Sequence, residues 1–351
     1  MGHIRRVLSV ALVSALVGVL AACQQPPSGG GSTGAATSWS VNPNVTDPLI
    51  TGDAVSTHLA FAPTGTPQNK LAVIVPGTSA TTLAFGELAN VVRAAGYHVI
   101  VLRYPSSLGT TGACPDGGAA TYPDCFREFR SEVVFGSDVQ DPVGETYDHP
   151  IAAVNASNSV VNRLTKLLDH LVQVAPTSGW DKFQFRTAGV CSQVNTTYGG
   201  CSVDWSKVAV VGHSQGAGVG LYLAKFYPLS RVVMLSGSFD AYDLGGGSYA
   251  VAPWITEGPL QVTPTNVRTL LHTSDPAIGR MRAVENGLGI PGAEVNVTGA
   301  AAPYGGSRRL ITNLGSTCVW DSAPSHNSTA VDACVPDYAY DAAWNYLLTA
   351  N

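Results

Sequence analysis

Strand patterns alternate with helical patterns along most of the chain. A short run of apolar residues is typical of a strand buried on both faces of a sheet, whereas a 3.6-residue repeat is typical of a helix packed on one side. Strand patterns occur at 54–62, 71–75, 97–103, 208–211, 231–235, 267–272, 293–298 and 308–312. Helical patterns occur at 81–95, 125–135, 151–174, 217–227, 276–287 and 337–348. This alternation predicts βαβ units and therefore an α/β protein, with a mostly parallel central sheet and helices on both faces.

Two long segments interrupt the alternation. Residues 104–150 are rich in Gly and Pro and contain only the helical pattern at 125–135, while residues 176–205 have no sustained periodicity. Each segment contains two cysteines. Insertions of this length inside a compact domain are usually functional or disordered. We expect two disulfide-bearing surface insertions, the first lying over the top of the sheet.

The N-terminus has the pattern of an export signal. Two arginines precede an apolar stretch at 7–20, which is short for a membrane span and ends in small residues. The ending Leu-Ala-Ala-Cys resembles a bacterial lipobox, which implies cleavage before Cys23 and lipidation of its thiol. An ordinary secretory signal is the alternative. We expect the mature protein outside the cytoplasm, either as a membrane-anchored lipoprotein of the bacterial cell envelope or as a secreted protein.

These features divide the chain into three parts. Residues 1–22 are the expected signal peptide, and residues 23–45 are expected to form a flexible tether because they are rich in Gly, Ser and Pro without apolar periodicity. Residues 46–351 are expected to form a single domain that includes both insertions.

Six further cysteines lie in three local clusters. Because short loops close more readily than long ones, we expect the pairs Cys114 with Cys125, Cys191 with Cys201, and Cys318 with Cys334. Sequence alone does not fix the connectivity of six cysteines. Disulfides agree with an oxidising compartment, and free buried thiols are the alternative. No C-x-x-C or H-E-x-x-H motif occurs, so no metal site is expected.

Composition excludes one class of partner. Hydrophobic residues make up 45% of the chain, which is enough for a core, but charged residues make up only 12% and the formal net charge is −5. The chain therefore lacks the basic patch that neutralises phosphates, and we expect no nucleic-acid partner.

The stretch 206–220 combines a strand pattern, a sharp turn and a helical pattern. Its centre, Gly212-His213-Ser214-Gln215-Gly216, has the spacing G-x-S-x-G. In that spacing the central serine adopts a strained backbone conformation that lifts its hydroxyl clear of the sheet. A side chain two residues before or after it would collide with a neighbouring strand or helix, which explains both glycines. Ser214 is therefore the candidate nucleophile.

The order of these features resembles the α/β-hydrolase superfamily over about residues 54–350. A strand, a loop, a helix and a second strand precede the first insertion, and further strands, an acidic residue and a histidine follow the G-x-S-x-G turn. The resemblance implies an α/β-hydrolase fold and a serine hydrolase, in which a histidine takes the proton of Ser214 and an acid orients that histidine. The superfamily order is Ser, then Asp or Glu, then His.

Two histidines lie well beyond Ser214 in the chain. His272 ends an apolar strand pattern and is expected to be a packed strand residue, whereas His326 lies in a loop just before the last helix. The superfamily has its base at the latter place, so the resemblance implies His326. A bond between Cys318 and Cys334 would enclose His326 and hold it in register.

The acid implied by the resemblance is Asp275, because it follows the strand at 267–272. Asp240, one strand earlier, is the alternative. Asp275 precedes a proline and is also a good helix N-cap, and we expect one residue to do only one of these jobs well.

The oxyanion of an acyl-transfer intermediate needs backbone N–H donors that are already in place. The resemblance implies Gln215 as one donor and Thr78, in the loop after the strand at 71–75, as the other. This chain has Pro76 where the superfamily often has His, and Ser79 is the alternative donor. The alternative to an oxyanion role is that this loop is only a strand-to-helix turn, with Thr78 or Ser79 as the cap of the following helix.

The expected function is hydrolysis of carboxylic esters, from small molecules or lipids, through an acyl-enzyme intermediate and without a cofactor. A non-catalytic surface lipoprotein that uses the fold for binding is the alternative, with acyl transfer and amide hydrolysis as lesser ones. The glycines at 212, 216 and 218 also fit the dinucleotide turn of short-chain dehydrogenases, but several strand patterns precede them and no Tyr-x-x-x-Lys pair follows.

Overall fold

The uniformly apolar segments form strands that are buried along their whole length. The computed structural model describes residues 37–52, 56–319 and 321–351, which fall in one unit. The strands are β1 Ser38–Val41, β2 His58–Phe61, β3 Leu71–Val75, β4 His98–Val101, β5 Arg186–Thr187, β6 Val190–Cys191, β7 Val208–His213, β8 Arg231–Leu235, β9 Ala241–Gly245, β10 Ser248–Val251, β11 Val267–His272, β12 Val295–Asn296 and β13 Arg309–Thr312.

Helices connect and cover these strands. They are α1 Pro43–Thr46, α2 Gly86–Ala94, α3 Thr110–Ala113, α4 Gly118–Thr121, α5 Cys125–Phe135, α6 Val160–Val174, α7 Gln215–Phe226, α8 Pro253–Thr256, α9 Ile278–Gly287, α10 Pro324–Asn327 and α11 Asp341–Thr349. None of the helices in the described ranges has the length and apolar character needed to cross a bilayer. The expected signal peptide and Cys23 lie outside the described residues.

The central sheet has the strand order β1-β2-β4-β3-β7-β8-β11-β13-β12. β1 and β2 pair antiparallel at one edge, and every pairing from β4 to β12 is parallel. Because parallel strands end at the same edge, the loops after β3, β7, β8 and β11 meet there. The pairing of Val75 with Gly212 brings the loop after β3 next to the turn after β7.

Two hydrophobic clusters cover the two faces of the sheet. Alternate residues of β3 point to opposite sides, with Val73 in one cluster and Ile74 in the other. The first cluster contains residues of α5, α6 and α7, and the second contains residues of α2 and α11. The structure thus has the three layers that the alternating pattern predicts.

The sheet begins earlier in the chain than expected. Ser38–Val41 pairs with β2, and the Trp39 ring packs edge-on against Trp180 at 5.5 Å between centroids. Residues 38–45 therefore belong to the folded domain and not to the tether predicted at 23–45. A strand of four residues is too short to produce a periodic signal, which is why the sequence pattern does not separate it from the tether.

Two loop and helix boundaries also differ from the prediction. The helix expected at 151–174 starts only at Val160, because the Ser159 hydroxyl accepts the Asn162 N–H and caps it there. The segment between the strand patterns at 231–235 and 267–272 contains the hairpin β9–β10, whose turn is Gly246-Gly247 with φ values of 61° and 81°.

Helix α11 is held by arginines that come from the sheet. Arg231 Nη1 donates to the carbonyl oxygens of Leu347 and Leu348 at 3.1 and 2.7 Å, and Arg268 Nη1 donates to Tyr346 O at 3.0 Å. The last carbonyls of a helix have no intrahelical partner and carry partial negative charge, so buried cations satisfy them well. These arginine bonds hold α11 in place. The loop at 328–330 packs against α11, where Trp344 Nε1 donates to Thr329 O at 3.0 Å.

Candidate active site

The turn after β7 presents Ser214 on a strained backbone. Ser214 has φ 54° and ψ −118°, a conformation that costs free energy in a non-glycine residue, and α7 begins directly after it. A Cβ on Gly212 would lie 2.2 Å from the carbonyl oxygen of Gly216, and a Cβ on Gly216 would lie 2.0 Å from that of Val75. Only glycine fits at either position, as the G-x-S-x-G spacing predicts.

A histidine and a carboxylate come together at the same edge of the sheet. His326 lies in α10 and its Nδ1 is 2.7 Å from Oδ2 of Asp275, which follows β11. The two side chains are 13% and 1% exposed. Donation from Nδ1–H to the carboxylate leaves Nε2 of the neutral imidazole as the basic nitrogen.

Asp275 has two roles at once. Its Oδ2 contacts His326, and its Oδ1 accepts the Ala277 N–H at 2.9 Å in the turn that leads to α9. The N-cap residue of α9 is Ala277, so Asp275 does not cap this helix, and each of its two oxygens takes a separate donor. The turn also fixes the direction in which Oδ2 points.

The loop after β3 lies against the start of α7. Thr78 Oγ1 is 2.8 Å from Oε1 of Gln215, so the two residues predicted as oxyanion donors are in contact. The Ser79 N–H already donates to Ser106 O at 2.9 Å. No acceptor among the described residues takes the Thr78 N–H. This pattern favours Thr78 over Ser79 as the donor from this loop.

Comparisons of the chain with known proteins gave matches only among solved structures. No protein-family model and no curated protein matches the chain. Among solved structures, the chain is similar to an arylesterase (11% identity, 91% of this chain and 88% of that chain covered, TM-score 0.38). It is also similar to dienelactone hydrolase from Anabaena variabilis ATCC 29413, with 12% identity, 80% of this chain and 89% of that chain covered, and a TM-score of 0.35. The Bacillus cereus carboxylesterase has 12% identity to this chain, with 74% of this chain and 85% of that chain covered and a TM-score of 0.32. These likenesses are too distant to carry a statement about activity.

The strand order, the turn after β7 and the residue order Ser214, Asp275, His326 decide the fold class. The chain has the α/β-hydrolase fold. In this fold, side chains at the carboxyl ends of the strands form the site, and all three residues are found there.

Asp240, the alternative acid, is committed elsewhere in the α/β-hydrolase core. Its carboxylate is fully buried and receives Arg130 Nη2 at 2.6 Å and Nε at 3.0 Å. The Ser238 hydroxyl and Trp254 Nε1 donate to the same carboxylate at 2.7 and 3.1 Å. These four donors come from groups other than His326, so the geometry favours Asp275 as its partner.

Arg130 is a site residue that the sequence did not indicate. It lies on α5, a buried helix inside the first insertion, and Nη1 donates to Gln215 O at 3.0 Å while Nη2 donates to Thr110 Oγ1 at 3.2 Å. A Cβ on Gly218 would lie 2.1 Å from Arg130 Nη2. The G-x-S-x-G geometry does not explain Gly218, so this glycine was the sequence feature that could have indicated a buried side chain there. The middle of this insertion therefore reaches beneath the nucleophile.

The remaining histidines near the site have structural contacts. His213 Nε2 donates to the backbone oxygen of His326 at 3.3 Å, and burial lowers the pKa of His213 to about 3, so its ring is neutral. His272 Nε2 donates to Leu314 O at 2.8 Å and its Nδ1 accepts the Ser274 N–H at 3.0 Å. His272 is thus engaged at the end of β11, as expected for a strand residue.

Two cavities lie beside Ser214 and share Thr78, Ser214 and His326 as walls. The first has a volume of about 260 Å³, and its other walls include Phe239, Pro276 and Ala277. The second has a volume of about 390 Å³, and its other walls include Ser79, Asp321 and Asn327. One side of Ser214 is therefore mainly apolar and the other is more polar.

Within the described residues no hydrogen bond joins the Ser214 hydroxyl to His326. A contact of this kind often tightens only when substrate is bound.

The six cysteines form the three local pairs that were expected: Cys114–Cys125, Cys191–Cys201 and Cys318–Cys334. The third pair closes a 16-residue separation that contains His326. Two clusters of metal-ligand side chains in the described ranges, one with His149 and one with Asp321, each include two disulfide-bonded cysteines. Sulfurs in a disulfide are not thiolates, so these clusters are poor metal sites.

Asparagine substitutions separate the two candidate acids. For Asp275→Asn we expect kcat for a simple ester to fall by about 10⁴-fold with little loss of stability, because the amide holds the wrong tautomer of His326. For Asp240→Asn we expect a loss of about 3–5 kcal/mol in the free energy of unfolding, since Arg130 is left buried without a counter-charge. Ester kinetics and urea unfolding measure the two effects. The opposite pattern, a stable Asp240→Asn protein without turnover, contradicts the assignment of Asp275.

Removal of the third disulfide tests whether it holds His326 in register. For the paired change Cys318→Ala and Cys334→Ala we expect a loss of about 3 kcal/mol in unfolding free energy and a fall of about 10- to 100-fold in kcat. The paired change Cys191→Ala and Cys201→Ala removes a similar loop closure and is the control, for which stability falls but kcat does not. Equal kcat values in the two proteins would refute the role of the Cys318–Cys334 bond.

Proposed function

We propose that the protein is a serine hydrolase that cleaves carboxylic esters through an acyl-enzyme intermediate. The observation that carries this proposal is the 2.7 Å contact between His326 and Asp275 beside cavities that Ser214 and His326 both line. A histidine oriented by a buried carboxylate is what a serine hydroxyl needs in order to act as a nucleophile.

In the proposed reaction, Ser214 Oγ attacks the ester carbonyl and His326 Nε2 takes its proton. Asp275 stabilises the imidazolium that forms. The carbonyl oxygen becomes negative and receives the N–H groups of Gln215 and Thr78. Collapse of this intermediate breaks the bond to the alcohol oxygen, which takes the proton from His326, and the acyl group remains on Ser214. A water molecule, deprotonated by His326, then attacks the acyl group, the bond to Ser214 Oγ breaks, Oγ takes the proton back from His326 and the acid is released.

The neutral state of His213 supports this use of His326. The two rings are 5.1 Å apart, and a second cation at that distance would oppose formation of the imidazolium. Burial lowers the pKa of His213 to about 3, so its ring carries no charge at neutral pH. The base therefore has one charged partner, Asp275, when it accepts the proton.

The two cavities support an ester with groups on both sides of the scissile bond. A cavity of about 260 Å³ with Phe239, Pro276 and Ala277 in its wall suits a short apolar group. The cavity of about 390 Å³ with Ser79, Asp321 and Asn327 suits a more polar one. The proposed substrates are therefore small esters or lipid esters, and the chain length of the acyl group is the property to measure.

Covalent labelling and a substrate series test the proposal. We expect a fluorophosphonate to label the folded protein at Ser214, and Ser214→Ala to abolish labelling and lower kcat by at least about 10⁴-fold. Ser206→Ala, which changes an exposed serine eight residues earlier, is the matched control and leaves both unchanged. Initial rates on p-nitrophenyl esters of increasing acyl length, with one matched anilide, define the substrate. An unlabelled Ser214 in folded protein would instead support a non-catalytic binding protein.

We also infer that the mature protein is exported and anchored through a lipid on Cys23. The basic start, the apolar stretch at 7–20 and the Leu-Ala-Ala-Cys sequence support this, and three disulfides agree with an oxidising compartment. In a bacterial host we expect the protein to partition into detergent and Cys23→Ala to partition into the aqueous phase. Wild-type protein that is aqueous and carries no acyl group by mass spectrometry would indicate an ordinary secretory signal.

A further inference from the structure

We propose that the side-chain hydroxyl of Thr78 is a third donor to the oxyanion, and that the amide of Gln215 is the positioning residue that directs its proton. The inference rests on the proposed function and deepens it. The motivating observation is that the side chains of the two oxyanion residues touch, with 2.8 Å between Thr78 Oγ1 and the Gln215 amide.

The Gln215 amide has one end without a partner. Gln215 is 1% exposed, and within the described residues its Nε2 atom has no hydrogen-bond acceptor. A buried N–H donor without a partner is unfavourable, whereas a buried carbonyl oxygen with few partners is tolerated better. In its present orientation the Gln215 amide therefore leaves Nε2, the end whose burial without a partner is less favourable, without a hydrogen bond.

A rotation of the amide by 180° lowers this cost. The two ends of a carboxamide have nearly the same shape, so the rotation places Nε2 at the position 2.8 Å from Thr78 Oγ1. Nε2–H then donates to the hydroxyl oxygen. The Arg130 bond to Gln215 O at 3.0 Å holds the backbone during this change, so only the side-chain amide needs to turn.

The rotation frees the proton of Thr78. A hydroxyl that accepts a hydrogen bond from an amide still has its own O–H to donate, and accepting the bond polarises that O–H. Thr78 lines both cavities that Ser214 lines, so a carbonyl oxygen bound near its N–H is within the same space. The geometry points to donation from Oγ1–H to the oxygen that becomes negative.

The position of the Thr78 side chain is restricted. A Cβ added to Gly109 would lie 3.4 Å from both Cγ2 and Oγ1 of Thr78, so the side chain packs against the first insertion. Threonine is branched at Cβ and has few χ1 rotamers, which keeps the hydroxyl in place. A donor that is already held in position stabilises the transition state more than the ground state, because it needs no reorganisation when charge develops.

The first test removes the hydroxyl without changing the shape or the backbone. For Thr78→Val we expect kcat on the best ester of the series to fall by about 10- to 100-fold with KM changed by less than about threefold. Thr78→Ser restores the hydroxyl and recovers most of the lost rate. The rate of fluorophosphonate labelling falls in parallel with kcat, because the phosphoryl oxygen becomes negative in the pentacoordinate transition state of that reaction. The melting temperature of each variant shows that it is folded.

The second test asks whether Gln215 acts through Thr78. For Gln215→Met, which keeps the length and loses both hydrogen-bonding ends, we expect a loss of about 5- to 10-fold in kcat. In the double variant with Thr78→Val, the Gln215→Met change adds nothing further, because its only route to the oxyanion is gone. Multiplicative losses would overturn the positioning role of Gln215, and a Thr78→Val enzyme with the wild-type kcat would overturn the third donor. A wild-type protein without esterase activity or Ser214 labelling is a different result, since it refutes the proposed function itself.

Discussion

The contact between the nucleophile turn and the end of β3 is the constraint on which the site depends. A Cβ on Gly216 would lie 2.0 Å from the carbonyl oxygen of Val75, so the two backbones meet with no side chain between them. The pairing of Val75 with Gly212 then brings the loop after β3 beside Ser214. Ser214, the proposed nucleophile, and Gln215 and Thr78, the proposed backbone donors, thus come from adjoining segments whose spacing is set by the sheet. Loops alone would not hold them with the same accuracy.

Local signals account for what could be predicted from the sequence. The buried strands, the main helices, the G-x-S-x-G turn and the cysteine pairs all depend on residues that are close in the chain. The position of His326 beside Asp275 followed from the order of features in a superfamily that the chain resembles. The ion pair between Arg130 and Asp240 could not be predicted, because the two residues are 110 positions apart and such a pair has no periodic pattern. The double role of Asp275 depends on the direction of each oxygen, which only the folded loop determines.

Burial gives two neighbouring histidines different properties. The rings of His213 and His326 are 5.1 Å apart. His213 is 3% exposed, and burial lowers its pKa to about 3. His326 has a carboxylate partner and borders two cavities. One imidazole is a neutral donor that holds the backbone of α10, and the other is available for proton transfer. An imidazole thus has a structural role at His213, where burial keeps it neutral, and is placed for proton transfer at His326.

The Arg130 contact has a consequence for how this protein can diversify. The first insertion touches the nucleophile turn through one buried side chain on α5, and Asp240 neutralises that side chain from another loop. The segment before α5 is also tied to the site, because Ser106 O accepts the Ser79 N–H and Gly109 packs against Thr78. By contrast, no described residue of 137–150 lines either cavity beside Ser214. Changes in the length or composition of 104–124 would therefore alter the cavity wall and the loop after β3 together, whereas changes at 137–150 would leave both in place.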